Sequence, residues 1–338
     1  MSFTTFDLAH DVASIVSAIN EVVTISSSLF ITGTGDLNIK FYNNIATGSG
    51  VALGGYWQTV FDSSPTSSQS TALFDITFGY ASSSAFNVAA AASSSQNEKV
   101  KVYREMASVL LGNQDSLFAP SATGTNWTEA FFFLVKRGIM KDELKKGTTS
   151  VNLVGSAGYL SATDAGAATA FKQTVGGDYA PLLSGTVTVG LVYYNAGVVV
   201  VPASGVTQLP WVPATDTWSG SVSLTGCMLS NSIDSCVDGL RAHADILGFH
   251  NQTNLYSTVY FCRARNTDYN YSSNPTFVDP TTKRILVTSG SNVLQSRTYV
   301  TTIGLYDAMD NLLAVGKLNK PITKAPDSEA IFRIRLDF

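Results

Sequence analysis

Few side chains in this sequence have the type and spacing that chemistry requires. There are three histidines, His10, His243 and His250. His243 and His250 stand seven positions apart with Asp245 between them. On a helix that spacing is two turns, a rise of about 10.5 Å, too long for both rings to reach one ion. Cys227, Cys236 and Cys262 form an odd set without a Cys-x-x-Cys pair, which indicates neither a zinc site nor a disulfide framework. Cys227 and Cys236 could bridge, but three cysteines in 338 residues read as reduced, mostly buried thiols.

Gly33-Thr-Gly35 lacks a third glycine and opens no helix, so it is not a dinucleotide loop. Gly185 and Gly190 flank strand-like residues and carry no Walker-type lysine. The paired carboxylates Asp142/Glu143 and Asp307/Asp310 fall in turn or surface contexts, where solvation is their ordinary state. No catalytic residue, metal ligand or cofactor site is therefore assigned. Trp57, Trp127, Trp211 and Trp218 would bind sugars or a partner if exposed in a row, with buried core as the default.

Composition narrows the classes further. Hydrophobic residues make up 45% and charged residues 14% of the chain, with net charge −4, against a usual charged share of about 25%. Such a chain can bury enough surface to fold, and its surface must be covered by Ser, Thr, Asn and Gly. Charge-poor surface suits burial against other proteins. The densest basic stretch, Lys136, Arg137, Lys141, Lys145 and Lys146, is interrupted by Asp142 and Glu143 and reads as a solvated face. A nucleic-acid partner is therefore not expected, because phosphate binding needs clustered cations. No apolar run reaches the ~18–20 residues that span a bilayer, and the N-terminal MSFTTFDLAHDVASIV lacks a basic signal-peptide region. Assembly in a reducing cytoplasm, without membrane partners, is the expectation.

The elements are those of a mainly β, α+β chain. Leu8, Val12, Ile15, Val16, Ile19, Val22 and Val23 follow a helical stripe, predicting a helix over 5–24 within an N-terminal arm, 1–28. A β-rich domain, 29–201, is expected to carry an inserted helix over 97–111 closed by Gly112. Ala130-Phe-Phe-Phe-Leu-Val135 has no polar face and must be a central strand. Residues 202–250 read as a linker and small helical region, with a helix over 236–247. The last domain, 251–338, is expected to be antiparallel, sandwich-like or barrel-like. Its final strand should turn Phe332, Ile334, Leu336 and Phe338 to a core and Arg333, Arg335 and Asp337 outward. The polar-aromatic run Tyr269 to Phe277 suits contact with a neighbour, or a self-packed Ω-loop. Tyr269, Tyr271, Asn274, Phe277, Tyr306, Phe332 and Phe338 are the candidate interface residues.

Thr301-Thr-Ile-Gly-Leu-Tyr-Asp-Ala-Met-Asp-Asn-Leu-Leu-Ala-Val-Gly316, followed by Lys320-Pro321, resembles a hairpin of tail and baseplate proteins in contractile-tailed phages. The terminal alternating strand, Tyr260-Phe-Cys-Arg-Ala-Arg265 and Asn270-Tyr-Ser-Ser-Asn-Pro275 are similar to such virion proteins too. The resemblance implies a non-enzymatic component of the virion, in the manner of a baseplate wedge subunit. Its partners would be other virion structural proteins and further copies of itself. A receptor- or carbohydrate-binding fibre or decoration module, or a neck- or capsid-associated protein, is the alternative.

Overall fold

The computed structural model describes residues 4–25, 39–42, 56–61, 68, 71–88, 94–121, 124–155, 158–203, 223–272, 275, 277–284 and 297–337. Asn274, Phe338, Trp211, Trp218, Gly33 and Gly35 lie outside them. The chain divides into two compact units. One is Ile19–Thr253, and the other joins Met1–Ala18 to Asn254–Phe338.

The first element corrects the expected helix: it is a strand, β1 (Val12–Ile25). The apolar spacing fits a helix, but Val12, Ile15, Val16, Ile19, Val22, Val23 and Ile25 are all β-branched. Such side chains are stiff in a helix and fit a pleated ladder. Ile15, Val16, Ile19 and Val22 are exposed, so no helical face is buried here.

In the larger unit β2 (Ile39–Tyr42), β3 (Trp57–Phe61) and β4 (Ala72–Tyr80) pair antiparallel. Helix α1 (Ser94–Leu111) follows and ends at Gly112, whose φ of 81° is the left-handed cap that the sequence predicts. Next come β5 (Glu129–Val135), the short α2 (Arg137–Met140), β6 (Glu143–Leu144), β7 (Ser150–Gly155) and β8 (Gly158–Thr163). β9 (Lys172–Thr174), β10 (Gly177–Ser184), β11 (Val187–Tyr193) and β12 (Val198–Pro202) complete the run. Two helices, α3 (Leu224–Ser230) and α4 (Ile233–His243), are each N-capped by a serine, Ser223 and Ser232. The helix expected over 236–247 thus stops at His243. From Ala244 the chain is already β13 (Ala244–Ala264), whose first residues pair with β7 from Leu153 to Ser150.

The sheet of this unit runs β13-β7-β8-β10-β11-β12-β5-β4-β3-β2. β5 is a central strand, as its three phenylalanines demand. Phe131, Phe132 and Phe133 face Val201, Val200 and Val199 of β12 on one side and Phe78, Thr77 and Ile76 of β4 on the other. Phe132 turns toward Tyr103 of α1 and Phe118, with ring centroids 6.2 and 5.6 Å away. Phe131 and Phe133 pack against Phe78 and Phe74 of β4, at 4.7 and 6.2 Å. The largest buried apolar cluster of the described residues, Ile25 to Phe249, lies wholly in this unit.

Gly79 lets α1 lie directly on the sheet. A Cβ there would stand 2.7 Å from the Tyr103 backbone nitrogen and 2.8 Å from the Lys99 carbonyl oxygen. The Tyr103 hydroxyl, drawn in by that approach, donates to the Trp127 carbonyl at 2.5 Å and accepts from the Phe118 N–H at 3.1 Å.

In the smaller unit β13 pairs antiparallel with β16 (Ala330–Asp337), from Ser257 opposite Asp337 to Ala264 opposite Ala330. β16 alternates as expected. Phe332 is buried, Ile334 and Leu336 are half-buried, and Arg333, Arg335 and Asp337 are exposed. β14 (Thr298–Tyr306) and β15 (Leu312–Lys324) form a separate two-stranded hairpin. Its turn is held by Asp307, which accepts the Met309 and Asn311 N–H groups, each at 2.8 Å.

Two outcomes test this packing. Gly79→Ala should cost about 1–3 kcal/mol, seen as a lower urea midpoint with unchanged slope. Burial pushes the Tyr80 and Tyr103 hydroxyls up to about 12, against about 10 in the unfolded chain. A group raised by folding stabilises below its unfolded value and loses that contribution as pH rises. Stability should therefore be full below pH ~10 and fall progressively toward pH ~12. Ultraviolet tyrosinate titration should show these rings ionising only together with loss of the folded signal.

Candidate interaction surface

The residues singled out for chemistry are spoken for structurally. His243 closes α4 while His250 lies on β13, so the two-turn relation between them does not arise. Among the described residues no group of three or more His, Cys, Asp or Glu is placed to hold a metal ion. Glu143 accepts from Gln252 Nε2 at 2.6 Å and Asn195 Nδ2 at 3.2 Å, and Asp307 is the hairpin cap. Lys136 pairs with Asp75, and Lys146 with Asp178 at 2.7 Å, so the basic stretch is dispersed among acids.

Among the described residues, a cluster with reactive side chains is built around Lys99, which is fully buried. Its ammonium donates to the Cys227 and Met228 carbonyls at 2.9 and 2.8 Å, and Gln96 Nε2 donates to the Leu229 carbonyl at 3.1 Å. These are last-turn carbonyls of α3, which no residue of the same helix can satisfy. A cation there also meets the negative end of the helix dipole. Burial pushes the Lys99 ammonium below its usual range. Cys227 and Cys236 are free thiols buried beside it, and the Cys236 thiol donates to the Cys227 carbonyl at 3.3 Å. The arrangement is a helix cap reaching from α1, not a nucleophile with a base. Sequence alone offers no sign of it, because Lys99 and its acceptors are 128 and 129 residues apart.

The smaller unit has the opposite character. Of the 23 large hydrophobic side chains exposed among the described residues, 14 belong to this unit. It contains 84 of the 257 described residues, so these side chains are about three times as dense in it as in the larger unit. Tyr299, Leu313, Val315 and Ile331 are each more than half exposed, and Met309 is 85% exposed. The adjacent pair Leu312-Leu313 is the signal that sequence reading could have used. Neighbours on a strand point to opposite faces, so two adjacent leucines put apolar surface on both faces of the hairpin, and both are more than half exposed.

Among the residues expected at an interface, Tyr269, Tyr271 and Tyr306 are exposed. Phe277 and Phe332 are instead buried, each at 9%, and serve as packing within the unit. Tyr271 stands edge-on to Phe277, centroids 5.9 Å apart. The Tyr269 carbonyl accepts from Thr298 Oγ1 at 2.7 Å, and its hydroxyl lies 2.9 Å from Thr4 Oγ1. Lys324, fully buried at the end of β15, donates to the Ala325 carbonyl at 2.9 Å, Asn270 Oδ1 at 3.0 Å and the Asn266 carbonyl at 3.3 Å. One lysine thus pins the base of the aromatic segment to the hairpin, which gives its tyrosines a fixed presentation.

Between β15 and β16 runs a groove of about 450 Å³, lined by Ile303, Gly316 to Leu318 and Ile331 to Arg335. What the unit offers chemically is therefore an apolar, tyrosine-bearing β surface with a groove beside it. No protein-family model matches the chain, and neither a curated protein nor a solved structure does.

Lys99→Met should leave buried carbonyls of α3 without donors and cost on the order of 2 kcal/mol, read as a lowered thermal midpoint. Cys227 and Cys236, at 0% exposure, should resist a disulfide-exchange reagent in the folded chain and react only on denaturation. Rapid labelling of either thiol under native conditions would contradict this packing.

Proposed function

We propose that the chain is a structural component of a tailed-phage particle, in its tail or baseplate, acting by assembly with other particle proteins. The carrying observation is the smaller unit's surface. It concentrates exposed apolar side chains, and its strands β14, β15 and β16 add nothing to the large buried cluster among the described residues. A two-stranded hairpin is marginal in water without something to cover a face. Contiguous exposed apolar surface is the mark of a protein interface, and long-lived structural interfaces are large and apolar. The resemblance of the hairpin to those of phage tail proteins supplies the kind of assembly.

Exposed Tyr256, Tyr271 and Tyr299 favour a second reading, a fibre module that binds glycans through aromatic faces. Immunogold electron microscopy of purified phage particles, with antibody raised against this chain, separates the possibilities. Gold at the tail tip is the expected result. Gold on extended fibres would favour the glycan-binding reading. Absence of the chain from the particles, checked by mass spectrometry of the same preparation, would overturn the proposal.

A further inference from the structure

The groove beside β16 has the features of a strand acceptor. Successive residues of a strand point to opposite faces. A groove touched by five in a row, Ile331 to Arg335, therefore meets the strand's edge, where its backbone groups lie. Among the described residues β16 pairs with β13 alone, so that edge has no ladder partner. The opposite wall is irregular in a useful way. In the hairpin Lys317 lies opposite Thr302, and the next pair is Ile322 with Val300. Leu318 to Pro321 thus bulge from the ladder against the single residue Thr301. Unpaired backbone beside apolar side chains selects an extended peptide over a compact ligand.

Charge selects further. Lys317, Arg333 and Arg335 stand on the groove, and all three are exposed. Arg335 is already engaged, its Nε 2.6 Å from Asp337 Oδ1. Lys317 and Arg333 have no acidic partner among the described residues. Ile303, Leu318, Phe332 and Ile334 supply the apolar lining between these cations. The matching strand carries acidic side chains alternating with apolar ones. No strand of this chain among the described residues has that alternation, so no described strand of a second copy provides it.

We propose that the groove receives an extended segment of another protein, with alternating acidic and apolar side chains, added as a strand along the edge of β16. The proposal rests on the assembly reading and names the chemistry of one partner. It is tested with the full chain and three fluorescent nonapeptides, measured by fluorescence anisotropy. The first alternates Glu and Val, the second Lys and Val, and the third repeats the first with alternate amides N-methylated to block pairing.

The Glu/Val peptide should bind, and the N-methylated one about 100-fold more weakly, because its backbone donors are lost. The Lys/Val peptide should bind roughly tenfold more weakly or not at all. K317E and R333E, both on exposed positions, should each weaken the Glu/Val peptide roughly tenfold and improve the Lys/Val peptide, with unchanged thermal midpoints. Absence of Glu/Val binding, equal binding of the two charge types, or indifference to N-methylation would overturn the proposal. Particles that contain the chain while every peptide fails would remove this partner chemistry and leave the assembly reading standing. Peptide binding by a chain absent from particles would do the reverse.

Discussion

Three consecutive phenylalanines can be buried only if both faces of their strand are covered and both edges are paired. Most of the larger unit follows from that demand. Val199 to Val201 and Phe78 to Ile76 close the edges, while Tyr103, Phe118, Phe78 and Phe74 meet the rings. Gly79 allows α1 to reach the sheet, and Lys99 and Gln96 on the same helix cap α3. The buried lysine is tolerable because its charge rests on carbonyls that would otherwise be left unsatisfied.

The smaller unit solves a different problem. Its strands alternate well enough to bury Phe332 and Leu305, but too few apolar side chains converge to hide the rest. Lys324 plays the part here that Lys99 plays in the larger unit, gathering carbonyl and amide oxygens from a loop that could not otherwise be held. The result is a rigid surface with apolar character. Stiff exposed aromatics and aliphatics lose little entropy on binding, which favours contacts that form once and persist.

Much of this was legible in local sequence. The phenylalanine run, the alternation of β16, Gly112 after α1 and the Asp307 turn all depend on neighbours within a few residues. Misreadings came where two local signals disagreed or where the deciding contact was distant. β1 has helical spacing and β-branched composition, and pairing with β13 settles the conflict. The helix expected to reach Leu247 loses its last turn to the ladder between β13 and β7. The cap on α3 joins residues well over a hundred positions apart, and the groove exists only once the hairpin and β16 are brought together. Phe277 and Phe332 were legible as aromatics in the right region, but burial decides whether an aromatic packs inward or outward, and burial is a property of the fold.

Cross-linking mass spectrometry of purified phage particles, with an amine-reactive reagent, tests the central claim that another protein covers the smaller unit's apolar surface. Lys317 and Lys320 on β15 are both exposed and border that surface. The account predicts links from one or both of them to a different particle protein. Links confined to this chain, or particles without the chain, would contradict it.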